Sequence, residues 1–202
     1  MKARLFHMNK PILLTVLSLS VLPSAFASDI TVGFSPSGAA LHNVLDAIQS
    51  AKTHIDLAAY SFTSQEVAQA LVQAAQRGVQ VRVVADKKDN QGSRYSAVIT
   101  MQQNHIPVRL DGHYAIMHNK FMVIDGATTE TGSFNYTSSA DKRNAENALV
   151  IWNEPQLAGV YEQEFERLWQ ESSATVNDTA RHTSSSDSVS SLRRSLSNLL
   201  TR

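Results

Sequence analysis

Between Ile30 and Ala85 the chain alternates strand-like and helix-like patterns, and this constrains its fold more than any other feature. Ile30 to Phe34 is a β-type run, after which Leu41, Val44, Leu45 and Ile48 recur at helical spacing. Ile55, Leu57 and Ala59 alternate with polar or small neighbours, as in a strand that ends near Tyr60. Thr63-Ser64-Gln65-Glu66 then fits a capping box, with Thr63 as N-cap and Glu66 reaching back to it. The helix so opened carries Val67, Leu71, Ala74 and Ala75 on one face and stops at Gly78, before a strand over Val79 to Ala85. Strand and helix in this order pack as a partly parallel sheet with helices on its faces.

A helical pattern around Arg94 to Gln103 and a strand over Ile106 to Leu110 continue the series. Met117 to Ile124, Glu130 to Phe134 and Ala145 to Trp152 then follow as three closely spaced strand patterns, which implies antiparallel additions to the sheet. Asn153-Glu154-Pro155-Gln156 opens a last helix with Leu157, Val160, Tyr161, Leu168 and Trp169 as its apolar stripe and Glu162, Glu164 and Glu166 on a solvent face. The expected architecture is α/β, a mixed, mostly parallel sheet flanked by helices on both faces. At 202 residues the chain suits one such domain.

Both ends stand apart from this pattern. Lys2, Arg4 and Lys10 precede an apolar run from Ile12 to Leu22, and Ala25-Phe26-Ala27 supplies an A-x-A cleavage site, the layout of a secretory signal at residues 1–27. The apolar run rises about 16 Å as a helix, roughly half a hydrocarbon core, which is short for a permanent span. A chain cleaved after Ala27 would be periplasmic or secreted. It would keep 15 basic against 18 acidic residues, a net charge of −3. From 171 to 202 there are ten serines in 32 residues, a composition that buries too little surface to offset ordering entropy and reads as a disordered tail. The folded domain is therefore expected over 28–170. The absence of cysteine excludes a disulfide scaffold, thiolate-ligated metals and a thiol nucleophile.

The chemistry is concentrated in Met117 to Glu146. His118 and Lys120 are two apart in an expected strand, so their side chains should leave one face, and Ser133 and Asn135 repeat the spacing on the next strand after a turn at Gly126. Such a hairpin gathers an imidazole, an ammonium, a hydroxyl and a carboxamide among apolar neighbours. A half-buried lysine beside a histidine calls for an anion. A phosphate fits: Lys120 neutralises charge, Ser133 and Asn135 donate hydrogen bonds, and neutral His118 can attack phosphorus.

His118, Lys120 and Asp125 also form H-x-K-x4-D, and Gly132-Ser133-x-Asn135 follows after six intervening residues. This pair of motifs resembles the signature of the phospholipase D superfamily, and the length, leader and single motif look most like the short Nuc-type endonucleases of bacteria. The resemblance covers about residues 30–170. It implies a phospholipase D-like fold and a metal-independent, cofactor-free phosphodiesterase. The substrate it implies is DNA cut without sequence preference, with RNA as a further candidate. In that family a histidine forms a phosphohistidine while a second histidine protonates the leaving oxygen and then activates water. This chain has a single H-x-K, so the resemblance implies a homodimer sharing one site. It also assigns Glu146 as an acidic partner of the histidine. Asp125, just before Gly126, belongs to the motif but equally suits a turn-forming role.

Two other functions compete. A phospholipase acting on lipid headgroups predicts an apolar rim around the cleft; a non-catalytic nucleic-acid- or envelope-binding protein predicts no turnover at all. The net charge of −3 leaves nucleic-acid binding to local positive potential at the site. His105, His113 and Asp111 lack metal-ligand spacing. Asp86, Lys87, Lys88 and Asp89, like Lys142 and Arg143, read as charged loops. Tyr136 suits either a base-stacking or a core position.

Overall fold

The computed structural model describes residues 29–174. The expected leader, its cleavage site and most of the Ser-rich segment lie outside the described residues. The elements are β1 (Asp29–Phe34), α1 (Ala39–Ser50), β2 (His54–Ala59), α2 (Gln65–Gln76), β3 (Gln80–Asp86), α3 (Lys87–Asn90), α4 (Val98–Gln103), β4 (Val108–Asp111), β5 (Lys120–Ile124), β6 (Thr128–Gly132), α5 (Ser138–Lys142), β7 (Asn147–Trp152), α6 (Pro155–Glu171) and β8 (Ser173–Ala174). Glu171 closes α6, and the Ser173–Ala174 strand pairs with β4, so the domain runs slightly past the expected boundary at 170.

Eight strands form one sheet in the order β1-β7-β6-β5-β2-β3-β4-β8. The sheet is mixed and flanked by helices on both faces, as expected, but it is not mostly parallel. Only β2/β3 and β3/β4 run parallel, while β1/β7, β2/β5, β4/β8, β5/β6 and β6/β7 are antiparallel. The cause lies after β4, where the chain returns through short connections and hairpins instead of crossover helices. Helix α5 is a single short turn and cannot carry a strand across the sheet.

One face carries α1, α2 and α4 over Ile55, Leu57, Val81, Val83, Met122, Ile124 and Val150. On the other, Phe165, Leu168 and Trp169 of α6 cover Ala58, Val84, Phe121 and Val123. Ser64, not Thr63, caps α2: its side chain accepts from the Val67 amide. The amides of Thr63 and Ser64 both donate to the Tyr136 carbonyl just ahead of the helix. The inward stripe of α6 also differs from expectation. Ala158, Phe165, Leu168 and Trp169 are buried, Val160 is 63% exposed, and Glu162 turns inward to Arg82.

Candidate active site

The site lies where β2 and β6 end and β5 and β7 begin. Hairpin β5–β6 turns on Asp125 and Gly126, both at positive φ (53° and 63°), with the Ala127 amide donating to the Ile124 carbonyl. Positive φ at both central positions is the I′ turn that matches strand twist, and Asp-Gly is a favoured sequence for it. The Asp125 carboxylate accepts from the amides of Lys52, Thr53 and His54 and from the Thr53 hydroxyl. Burial alone would push this carboxyl up, but those bonds bring it down to about 2. Five residue steps along the strand take the chain from Lys120 to Asp125, roughly 17 Å. The structure therefore does not bring it to the pocket, and its place is in the turn.

The other five expected residues come together. A cavity of about 490 Å³ is lined by His118, Lys120, Ser133, Asn135 and Glu146, with Asn119, Phe121, Thr131, Gly132 and Tyr161. They do not come as alternate residues of two strands. Strand β5 starts at Lys120 and β6 stops at Gly132, so His118, Ser133 and Asn135 all stand on connecting segments. Separate anchors hold these segments. The Met117 amide donates to the Asp86 carboxylate at 2.8 Å, and the Tyr60 amide donates to the Asn119 carbonyl at 2.9 Å. The amides of Ser133 and Phe134 both reach the Asn147 carbonyl at 3.1 Å. That carbonyl would lie 2.2 Å from a β-carbon at position 132, which is why a glycine precedes the motif serine.

His118 is exposed and its ring lies 4.7 Å from that of Tyr60. Lys120 is buried, donates to the His118 carbonyl at 2.8 Å and places its ammonium 5.3 Å from the centre of the Tyr60 ring. Burial pulls the Lys120 ammonium below the usual lysine range, and the Glu146 charge opposes that fall. Ser133 donates to Glu146 at 2.6 Å and accepts from the Asn147 amide, while Asn144 donates to the second Glu146 oxygen at 2.9 Å. Among the described residues no hydrogen bond joins Glu146 to His118, so the expected carboxylate–histidine bond is not made within one chain. The Asn135 amide oxygen is buried and has no hydrogen-bond donor among the described residues.

These donors suit an oxyanion: one ammonium, one imidazole, a hydroxyl and an amide, against one carboxylate. A cation would find a different group. His54, Asp56 and Glu162 place ligand atoms within 4.8 Å of one another, but at the far end of β2. Arg82 already takes both Asp56 oxygens there, at 2.7 and 2.6 Å. His105 and His113 form no such group with Asp111 among the described residues. Tyr136 is fully buried, a core residue. Sequence reasoning missed Tyr60, Tyr161 and Asp86 as parts of this region. Tyr60 follows Ala59, which pairs with Lys120, so only knowledge of the β2–β5 register could have found it.

Comparison with known proteins gives a consistent picture. A family model described as "Cardiolipin synthase, PLD-like domain" matches residues 44–169. The phospholipase D of Rickettsia bellii is 37% identical over 134 residues, 66% of this chain and 66% of the relative. The mitochondrial cardiolipin hydrolase of Chlamydomonas reinhardtii is 32% identical over 136 residues, 67% of this chain and 60% of the relative. The chain thus spans about two thirds or less of the length of these two relatives. The crystal structure of Nuc from Salmonella typhimurium, a phospholipase D family member, is 41% identical, with a TM-score of 0.71 over 74% of this chain and 99% of that one.

Proposed function

Since the chain belongs to the phospholipase D superfamily, we propose that it is a metal-independent phosphodiesterase, a sequence-nonspecific endonuclease that hydrolyses DNA through a phosphohistidine at a site shared by two subunits. The observation that carries this reading is the single cavity lined by His118, Lys120, Ser133, Asn135 and Glu146. The His118 imidazole attacks phosphorus, forming a P–N bond as the P–O bond to the leaving nucleotide breaks. A second histidine gives the leaving oxygen its proton, then takes one from the water that breaks the P–N bond. Lys120, Ser133 and Asn135 hold the charge that builds on the phosphoryl oxygens.

No second His-x-Lys exists in the sequence, so the acid must come from another copy. A surface suited to one adjoins the cavity. Ile30, Val32 and Phe34 pair in register with Ile151, Leu149 and Asn147, on the sheet face that α6 covers elsewhere. They are 57%, 54% and 58% exposed, and Val160 of α6 and Ile116 near His118 are exposed as well. A two-fold contact there would bury apolar surface and bring two histidines to one phosphate.

The same rim supports a second reading, phospholipid headgroup hydrolysis, for which an apolar border to the cleft is expected, and two relatives are named for lipid substrates. Plasmid DNA and phosphatidylcholine vesicles, each incubated in EDTA with the chain and with His118→Ala, separate the readings. DNA loss that requires His118 supports the nuclease. Lipid turnover without DNA cleavage replaces it with the phospholipase. Equal activity of the variant would sink both.

A further inference from the structure

The loop that carries Ser133 and Asn135 has no regular structure, and its anchor is buried on the sheet face opposite α6. Glu130 of β6 is 1% exposed and Tyr136 is fully buried, and the tyrosine hydroxyl donates to the Glu130 carboxyl at 2.7 Å. The Tyr136 carbonyl accepts from Thr63 and Ser64 at 2.9 and 2.8 Å. Its ring stands edge-on to Phe62 and Phe134, each 6.4 Å away. At the other end, Ser133 and Phe134 are tied to Asn147. Asn135 is therefore held between two clamps, with its own amide oxygen buried and without a donor.

Among the described residues no cation meets Glu130. Its register neighbours are Met122 and Val150. Lys120, two residues from Met122 on the same face, turns its ammonium to the His118 carbonyl. Helix α1, which packs on β6, pairs its exposed His42 with Asp46 at 3.2 Å. Tyr136 is the titratable group that acts on Glu130. A carboxylate here would be a buried charge with a single tyrosine bond, whereas a neutral acid accepts the same hydroxyl with no charge to desolvate. Burial pushes the Glu130 carboxyl up to about 8 and the Tyr136 hydroxyl well above its ordinary range.

We propose that Glu130, held as a neutral acid, is a positioning residue of the active site. Through Tyr136 it sets the loop that presents Ser133 and Asn135 to phosphate, and its ionisation loosens that loop. Glu130 touches no substrate. The assignment rests on the phosphodiesterase reading for its activity readout, but not for its binding readout.

The test compares wild type, Glu130→Gln and Glu130→Leu, each shown folded by near-UV circular dichroism. Turnover of bis(p-nitrophenyl) phosphate and affinity for inorganic phosphate are followed from neutral to mildly alkaline pH. Glutamine keeps the shape and the acceptor but cannot ionise; leucine leaves the tyrosine hydroxyl without a partner. Glu130→Gln should stay within about threefold of wild type near neutrality and decline less steeply than wild type in both readouts above about pH 8, keeping only the part of the fall that Lys120 sets. Glu130→Leu should lose about tenfold or more in kcat and bind phosphate more weakly. Should the leucine variant not fold, the glutamine comparison decides alone. A glutamine variant that declines with pH as steeply as wild type overturns the proposal, and so does a folded leucine variant with wild-type kcat. A wild type that binds phosphate but does not cleave the diester sinks the phosphodiesterase reading, and the binding series still judges Glu130. Failure to bind phosphate at all overturns both.

Discussion

The Ser133 hydroxyl donates to Glu146 at 2.6 Å while accepting from the Asn147 amide, so the motif serine and an acid thirteen residues on form one unit in the wall that faces Lys120. That acid is the charge opposing the fall of the Lys120 ammonium below its usual range. Replacing Glu146 by Gln removes the restoring charge, and Lys120 then loses its proton at a still lower pH. The expected result is an alkaline limb of kcat displaced toward neutrality, together with a lower maximum. A pH–rate profile reads it directly, and an unmoved limb would show that the Lys120 charge is not needed.

Asp125 belongs to the motif yet lies about 17 Å along β5 from Lys120, where it takes the amides of Lys52, Thr53 and His54. Asp125→Ala should cost about 2–3 kcal/mol of stability, since three amides and a hydroxyl lose an ionised acceptor. Turnover of the folded enzyme should change by less than about threefold. Because this carboxyl is held down at about 2 from an ordinary value of 3.8, its stabilisation is present above pH 3.8 and fades as pH falls through 2. The stability gap between wild type and variant should therefore close in acid. Loss of activity with an unchanged melting temperature would move Asp125 into the chemistry.

Glu162 behaves in the opposite sense. Burial first, and then the nearby Asp56 charge, raise it to about 8 against the opposing pull of Arg82. A carboxyl raised on folding contributes stability that is whole below its unfolded value near 4.5 and is gone above about 8. Denaturant titrations should thus show Glu162→Gln gaining on wild type across that window and level beyond it. Parallel curves would mean that α6 adjusts to admit the charge.

The apolar strip on β1 gives a direct check on assembly. Val32 is 54% exposed, so Val32→Glu should leave the unfolding free energy of an isolated subunit nearly unchanged, within about 0.5 kcal/mol. It should nevertheless halve the mass seen by light scattering and remove turnover. An active, dimeric Val32→Glu protein would place the contact elsewhere.

The residues of the cavity were more legible in the sequence than the geometry that presents them. His118, Lys120, Ser133 and Asn135 follow from residue types and spacing, Glu146 from the family resemblance, and all five line one cavity. The argument that alternate strand positions would align them does not hold, because four of them stand beyond the strand ends. Their alignment comes from contacts made far away in the chain, such as Asp86 with Met117. Local periodicity carries no trace of such contacts. The same limit applies to Ser64, the cap of α2, where the chain enters the helix with the amides of both Thr63 and Ser64 tied to the distant Tyr136 carbonyl. It applies again to Glu162, whose place was fixed by Arg82 on a strand 80 residues earlier in the chain. The helices and most strands were visible because each reports its own burial; strand order was not, since pairing depends on loops whose direction composition does not encode.

The first strand of the fold lies beside its seventh: β1 pairs with β7, Phe34 opposite Asn147, and the Ser35 amide donates to the Glu146 carbonyl. During synthesis, His118 and Lys120 emerge well before Glu146 and before the strand that seats it against Phe34. A nascent chain in this state holds the His118 imidazole and the Lys120 ammonium without the far wall of the cavity. Closing a loop of this length is among the slowest steps a small domain takes. The cavity is therefore completed late, once most of the domain has been made, a delay written into the order of the strands.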